Sequence, residues 1–131
     1  MRFYCQQPDA ASAVAVAVAV AAMVQGGVLA RYPGASFRQY PPQAGIREFD
    51  IDASTGATLY VFIDVDEARV ATATADMPDA PAGLSATTSI ATVVASGAAD
   101  PALLMACATT FVVDLDAVLW DEMDGFDVSL S

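Results

Sequence analysis

The chain of 131 residues contains no histidine and no lysine, and only two cysteines. Each absence removes a class of chemistry. Without histidine, the commonest general base and the commonest metal ligand are missing. Without lysine there is no Schiff base and no lysine-activated nucleophile. Cys5 and Cys107 alone cannot assemble an ordinary structural zinc site, and reduced, buried thiols are expected instead. Gly26-Gly27 lacks the spacing of a phosphate-binding loop. These gaps point away from hydrolytic or redox catalysis, and neither a cofactor nor a catalytic residue is expected.

Positive charge is scarce as well. Five arginines stand against sixteen acids, thirteen of them Asp, for a formal net charge of −11. Proteins that bind nucleic acid rely on cationic contacts to phosphate, so direct nucleic-acid binding is not expected. The same charge disfavours an anionic membrane surface. The acid excess then reads either as a solubilising shell or as an acidic face that docks on a basic partner, in the manner of a DNA mimic. Hydrophobic residues make up 56% of the chain and charged residues 16%, the reverse of a disordered composition. A chain of this length fits one domain, residues 1–131. Much of the apolar content is Ala and Val, which bury little area each. A core built from them depends on close backbone approach or on cover from neighbouring subunits.

One long apolar run interrupts the acidic chain. Between Asp9 and Arg31 there is no charge over 21 residues, long enough to span a bilayer. Gln25, Gly26 and Gly27 break its end, and the residues from Tyr4 to Asp9 make a poor signal-peptide start, so no membrane segment is expected. Val14, Val16, Val18 and Val20 alternate with Ala, which suits a strand. Ala is nevertheless the best helix former, and Asp9 or Ser12 can cap a helix. The reading adopted is a helix from about Ala10 to Leu29. Its valines project on several sides, since a two-residue step turns roughly 200°. Such a helix wants cover most of the way round, more than a chain of this size supplies. Packing against copies of the chain follows as an expectation, with Val14, Val16, Val18 and Val20 as interface candidates.

The middle of the chain reads as an antiparallel meander. ASFRQYPP is a short strand; REFDIDA, TLYVFIDVD and RVATATA follow, separated by turns at Ser54-Thr55-Gly56 and Asp66-Glu67-Ala68. A turn centred on Thr55 sets Ile51 against Leu59 and Phe49 against Val61. Phe49, Ile51, Leu59, Val61, Ile63 and Val65 then share one apolar face, and a one-residue slip would scramble it. Asp50, Asp52, Asp64 and Asp66 share the other face with Thr58, Tyr60 and Phe62. In this register Asp50 and Asp64 lie roughly 13 Å apart at about 3.3 Å per residue. One hard cation needs oxygen ligands within about 2.5 Å of itself, so the two Asp-x-Asp pairs cannot share a metal. Asp64, Asp66 and Glu67 remain a loose cation candidate at the second turn, and no specific metal site is expected. Tyr60 and Phe62 mark the acidic face as an interface candidate.

In the last third, residues 76–83 read as a Pro-rich linker and Ser85 to Ser96 as a strand or a weak helix. Asp100-Pro101 is a sharper signal, an N-cap followed by proline at the first helical position. A helix from Pro101 to about Thr109 is expected, packing Leu103, Leu104 and Cys107 inward. Residues 111–120 fit helix or strand, and strand is preferred because Asp124-Gly125 suits a hairpin turn. Trp120, flanked by acids, is the last interface candidate.

The fold class expected is therefore α+β: a long N-terminal apolar helix packed on an antiparallel meander sheet, with a second helix and a C-terminal strand or hairpin. The function expected is non-enzymatic, a structural subunit of a homo-oligomeric assembly such as a virion or tail component. Its partners would be copies of itself and other assembly proteins. The alternatives are an acidic binding or inhibitor protein docking on a basic partner, and a small membrane-anchored protein. A soluble chain, cytoplasmic or particle-associated, fits the first two.

Overall fold

The computed structural model of the chain describes residues 1–5, 13–43, 45–75, 87–97 and 100–119. Along the sequence run β1 (Arg2–Cys5), α1 (Ala13–Arg31), β2 (Ser36–Gln39), β3 (Ile46–Asp52) and β4 (Ala57–Asp64). Then come α2 (Glu67–Ala75), β5 (Ser89–Gly97), α3 (Pro101–Thr109), a π-type turn (Thr110–Asp114) and β6 (Val118–Leu119). Six strands form one antiparallel sheet in the order β2-β3-β4-β5-β1-β6. The architecture is α+β, as expected, with α1 packed on the sheet.

The β3–β4 hairpin adopts the register read from the sequence. Phe49 pairs with Val61, Ile51 with Leu59 and Asp52 with Thr58. Gly56 closes the turn at φ +90°, a conformation that costs glycine little. Side chains alternate across the strand. Ala57, Leu59, Val61 and Ile63 are therefore buried, while Thr58, Tyr60, Phe62 and Asp64 are half-buried on the opposite face. The buried side joins Phe3, Cys5, Ala91 and Val93 from the neighbouring strands in one core. Burying one such Val, Ile or Phe side chain contributes about 1.5–3 kcal/mol.

Helix α1 and the α3 segment cover that core. Val16, Val20, Val24 and Val28 recur every four residues, and with Ala17 and Ala21 they form the buried stripe of α1. Alternating Val and Ala thus gives a one-sided helix, because a step of four residues nearly returns to the same face. Asp100 caps α3 as expected, accepting from the Leu103 N–H at 3.0 Å, with Pro101 in the first turn. Leu103 and Cys107 are buried and Leu104 is half-buried.

The last turn of α1 is tied to both ends of the α3 segment. Arg31 makes a bidentate pair with Asp114, at 2.7 and 3.0 Å, and Tyr32 donates to Asp100 at 2.6 Å. Gly27 permits this approach. A Cβ built there would meet the Thr110 methyl at 2.4 Å and an Asp114 oxygen at 2.6 Å.

Three readings are corrected. RVATATA is not a strand, because residues 67–75 form α2. Asp66 caps this helix by accepting from the Arg69 N–H, at 2.9 Å, and Arg69 clamps Asp64 at 2.8 and 3.1 Å. Val70 packs with Tyr4 and Ile90 on the sheet face opposite α1. A cap and one buried valine override the period of two. Residues 111–114 are likewise not a strand; the helix widens there, with the Leu115 N–H reaching the Thr110 carbonyl at 3.3 Å. Phe111 is drawn inward to stack on Phe3, ring centroids 4.5 Å apart. Finally, β1 is a strand from the segment read only as a poor signal start. The 76–83 linker, the Asp124-Gly125 turn and Trp120 lie outside the described residues.

Candidate functional site: two interaction surfaces

Two faces of the molecule gather the interface candidates. The first is the outward side of α1. Successive residues turn by about 100°, so Ala15, Val18, Ala19, Ala22, Met23, Gly26, Leu29 and Ala30 fall on the side opposite the buried valines. All but the half-buried Ala19 are exposed. Val18 is 47% and Leu29 44% exposed, against none for Val20, Val24 and Val28. Of the valine candidates, Val18 faces outward, whereas Val16 and Val20 belong to the core. The Val14 side chain lies outside the described residues. Gln25, half-buried, is the one polar residue near this arc, and no charge appears until Arg31. Met105 on α3 and Val113 in the π-type turn are further exposed apolar side chains of the helical elements, at 54% and 64%.

The second surface is the sheet face that carries Tyr60 and Phe62. Register places Arg38 beside Asp50 and Tyr60, Tyr40 beside Glu48 and Phe62, and Asp52 beside Thr58. The side chains form one network. Tyr40 donates to Asp50 at 2.7 Å, Thr58 donates to Asp52 at 2.8 Å, and Tyr60 donates to Glu48. Arg38 lies 3.0 Å from Asp50 and 3.4 Å from Asp52. Burying the Asp50 carboxylate is tolerable because both of these donors reach it. The Tyr40 and Tyr60 rings meet edge to face at 6.0 Å. Burial, and then Glu48, pushes the Tyr60 hydroxyl up to about 12, and the hydrogen bond to Asp50 raises that of Tyr40. Both phenols therefore stay protonated donors at neutral pH. Three acids face one arginine within this network, and Val94 in the next strand is more than half exposed.

Asp64 and Asp66 of the turn are already engaged, Asp66 accepting from the Arg69 N–H. Both Asp64 oxygens accept from Arg69, and Asp64 also accepts from the Asp66 N–H at 3.0 Å. Among the described residues, no three His, Cys, Asp or Glu side chains gather to hold a metal. A cleft of about 260 Å³ opens where the β4–β5 end meets the first turn of α3, lined by Ala57, Leu59, Ala95, Gly97, Leu103 and Leu104 among others. Its acid, Asp100, is committed to Tyr32, Thr55 and the Leu103 N–H, which hold its carboxyl below the usual carboxylate range. Among the described residues, nothing in this cleft pairs a nucleophile with a base. Burial raises both thiols, Cys5 and Cys107, to about 12, far from the range of a reactive cysteine.

Sequence reasoning found the acidic sheet face but missed Tyr40 and Arg38, which reach it from β2. The strand ASFRQYPP carried the signal, since alternation puts Arg38 and Tyr40 on one side. Met105 and Val113 were missed because their exposure depends on how α3 packs. Among the described residues, no helix is long and apolar enough to cross a membrane. No protein-family model, no curated protein and no solved structure matches the chain.

Proposed function

We propose that the chain is a non-enzymatic structural subunit that assembles with copies of itself, as in a virion or tail-type particle, using the outward face of α1. The uncharged run Ala15–Ala30 on that face carries this reading. A chain of net charge −11 self-associates most readily where it has no charge to desolvate or repel. Exposed Val18, Met23 and Leu29 along one helix make a contiguous apolar stripe, of the kind that marks contact sites. Oxidative footprinting tests this through two reporters, Met23 and Met105. In concentrated protein Met23 is expected to resist oxidation by peroxide, and on dilution to become as reactive as its exposure allows. Equal Met23 reactivity at all concentrations would contradict a contact through α1, and Met105 reports whether α3 takes part.

A second reading is favoured by one observation on the sheet face. Arg38 sits between Asp50 and Asp52 beside Tyr40, so this face already grips a guanidinium. The chain would then be an acidic binding protein for an Arg-rich partner. Capture of a basic partner that weakens with salt, and is lost in Asp52→Asn/Glu48→Gln, would support it. Salt-independent capture would count against it.

A further inference from the structure

The outward face of α1 is self-complementary, and its spacing names the occupant. Ala15, Val18, Ala22, Gly26 and Leu29 lie at −7, −4, 0, +4 and +7 from Ala22, along one arc of the helix. Reversing the direction of the helix about Ala22 keeps these positions and exchanges their contents. Val18 then falls opposite Gly26, and Leu29 opposite Ala15, so each large side chain meets a small one. We infer that α1 packs antiparallel against α1 of a second copy, across a two-fold axis at Ala22. The inference rests on the assembly reading above and adds the contact geometry.

Two independent observations support a second copy in this arrangement. Among the described residues, nothing in its own chain packs where a Gly26 side chain would stand. A Cβ built there meets nothing within 4 Å, and Gly26 is not among the glycines with positive φ. Mid-helix glycine is a poor helix former, so its presence costs stability that no contact among the described residues returns. Its neighbour Gly27 is the contrast, because Thr110 and Asp114 fill the space where a Cβ would stand. A helix crossing explains Gly26, since a missing Cβ opens a hole for Val18 of the other copy.

Charge selects the direction. The C-terminal end of α1 carries the Arg31–Asp114 pair, whose charges balance, and its first turn holds no acid among the described residues. A parallel pair would bring the two negative dipole ends together; an antiparallel pair separates them. It also sets the positive end of each helix dipole beside the negative end of the other. Isologous two-fold contacts of this kind are the commonest way that identical chains pair.

A size swap across the axis tests the contact. Gly26→Val should weaken self-association roughly tenfold or more, because the new side chain fills the hole used by Val18. Val18→Ala/Gly26→Val exchanges large and small on both helices, and should recover association to within about threefold of the parent. Circular dichroism on dilute protein checks that both variants fold. Ala22→Cys should form an intermolecular disulfide at the axis under mild oxidation, while the buried native thiols stay reduced. An oligomer that ignores Gly26→Val, and that Ala22→Cys fails to cross-link, overturns the antiparallel α1 pair and leaves assembly through another face. A parent chain that stays monomeric at every concentration overturns both.

Discussion

Gly26 and Gly27 are adjacent, yet alanine should act in opposite directions at the two positions in the isolated chain. At Gly26 the added methyl meets nothing within 4 Å. Dilute, dissociated Gly26→Ala protein should gain up to about 1 kcal/mol, the difference in helix propensity between the two residues. At Gly27 the same gain is outweighed. The new Cβ would stand 2.4 Å from the Thr110 methyl, 3.0 Å from the Thr110 hydroxyl and 2.6 Å from an Asp114 oxygen. Neither neighbour yields freely. Thr110 is buried, with its hydroxyl donating to the Ala106 carbonyl at 2.7 Å, and Asp114 is clamped by Arg31. Overpacking of this kind costs about 1–3 kcal/mol. Loosening the partly exposed Arg31–Asp114 pair adds at most about 1 kcal/mol.

The net expectation for Gly27→Ala, after a propensity gain of about 1 kcal/mol is subtracted, is a loss of up to about 3 kcal/mol. At about 3–4 °C per kcal/mol for a chain of this size, the melting temperature falls by up to roughly 12 °C. Urea denaturation followed by far-ultraviolet circular dichroism measures the free energy directly. Thr110→Ser removes the nearest methyl and should recover part of the loss in the double variant. If Gly27→Ala stabilised the chain as Gly26→Ala does, the close approach of α1 to the π-type turn would be refuted.

Acidification probes the ties around α3. Tyr32 first, then the Leu103 N–H and Thr55, hold the Asp100 carboxyl below its ordinary value. Asp100 therefore contributes stability that is full above about pH 4, the unfolded value. That contribution disappears as pH falls through the lower folded value, so the stability gap between parent and Asp100→Ala should close on acidification; a gap independent of pH would count against these ties. Calcium should leave the melting temperature unchanged, because Arg69 already occupies both Asp64 oxygens; stabilisation at micromolar calcium would overturn the description of this turn. Both thiols should ignore a disulfide reagent in native protein at mildly alkaline pH and react on unfolding, since burial raises each to about 12. Fast labelling of the native protein would place one of them at the surface.

The elements most legible in the sequence were those where local and tertiary signals agree. The β3–β4 register followed from a face that only one alignment keeps apolar, and α3 from an Asp-Pro start that caps the backbone whatever packs around it. The outcome for α1 was half legible. Its helical state followed from alanine, but which valines turn inward depended on the four-residue spacing of Val16, Val20, Val24 and Val28. Helix α2 was misread because RVATATA alternates while its cap, Asp66, was assigned to a turn. Strand β1 carried too few residues to show a period, and its place between β5 and β6 is set by long-range pairing. The acidic sheet face was visible as spacing. The hydrogen bonds that Tyr40, Tyr60, Thr58 and Arg38 make to it were not, since they depend on which strands are neighbours.

The central claim, that the outward face of α1 is covered by another copy of the chain, is tested most directly by mass in solution. Light scattering across a dilution series should give a multiple of 13.5 kDa that falls towards the single chain on dilution. Val18→Arg, which places a charge on the face, should give the single-chain mass throughout. A parent mass of 13.5 kDa at every concentration would contradict the account. So would an oligomer that Val18→Arg leaves intact.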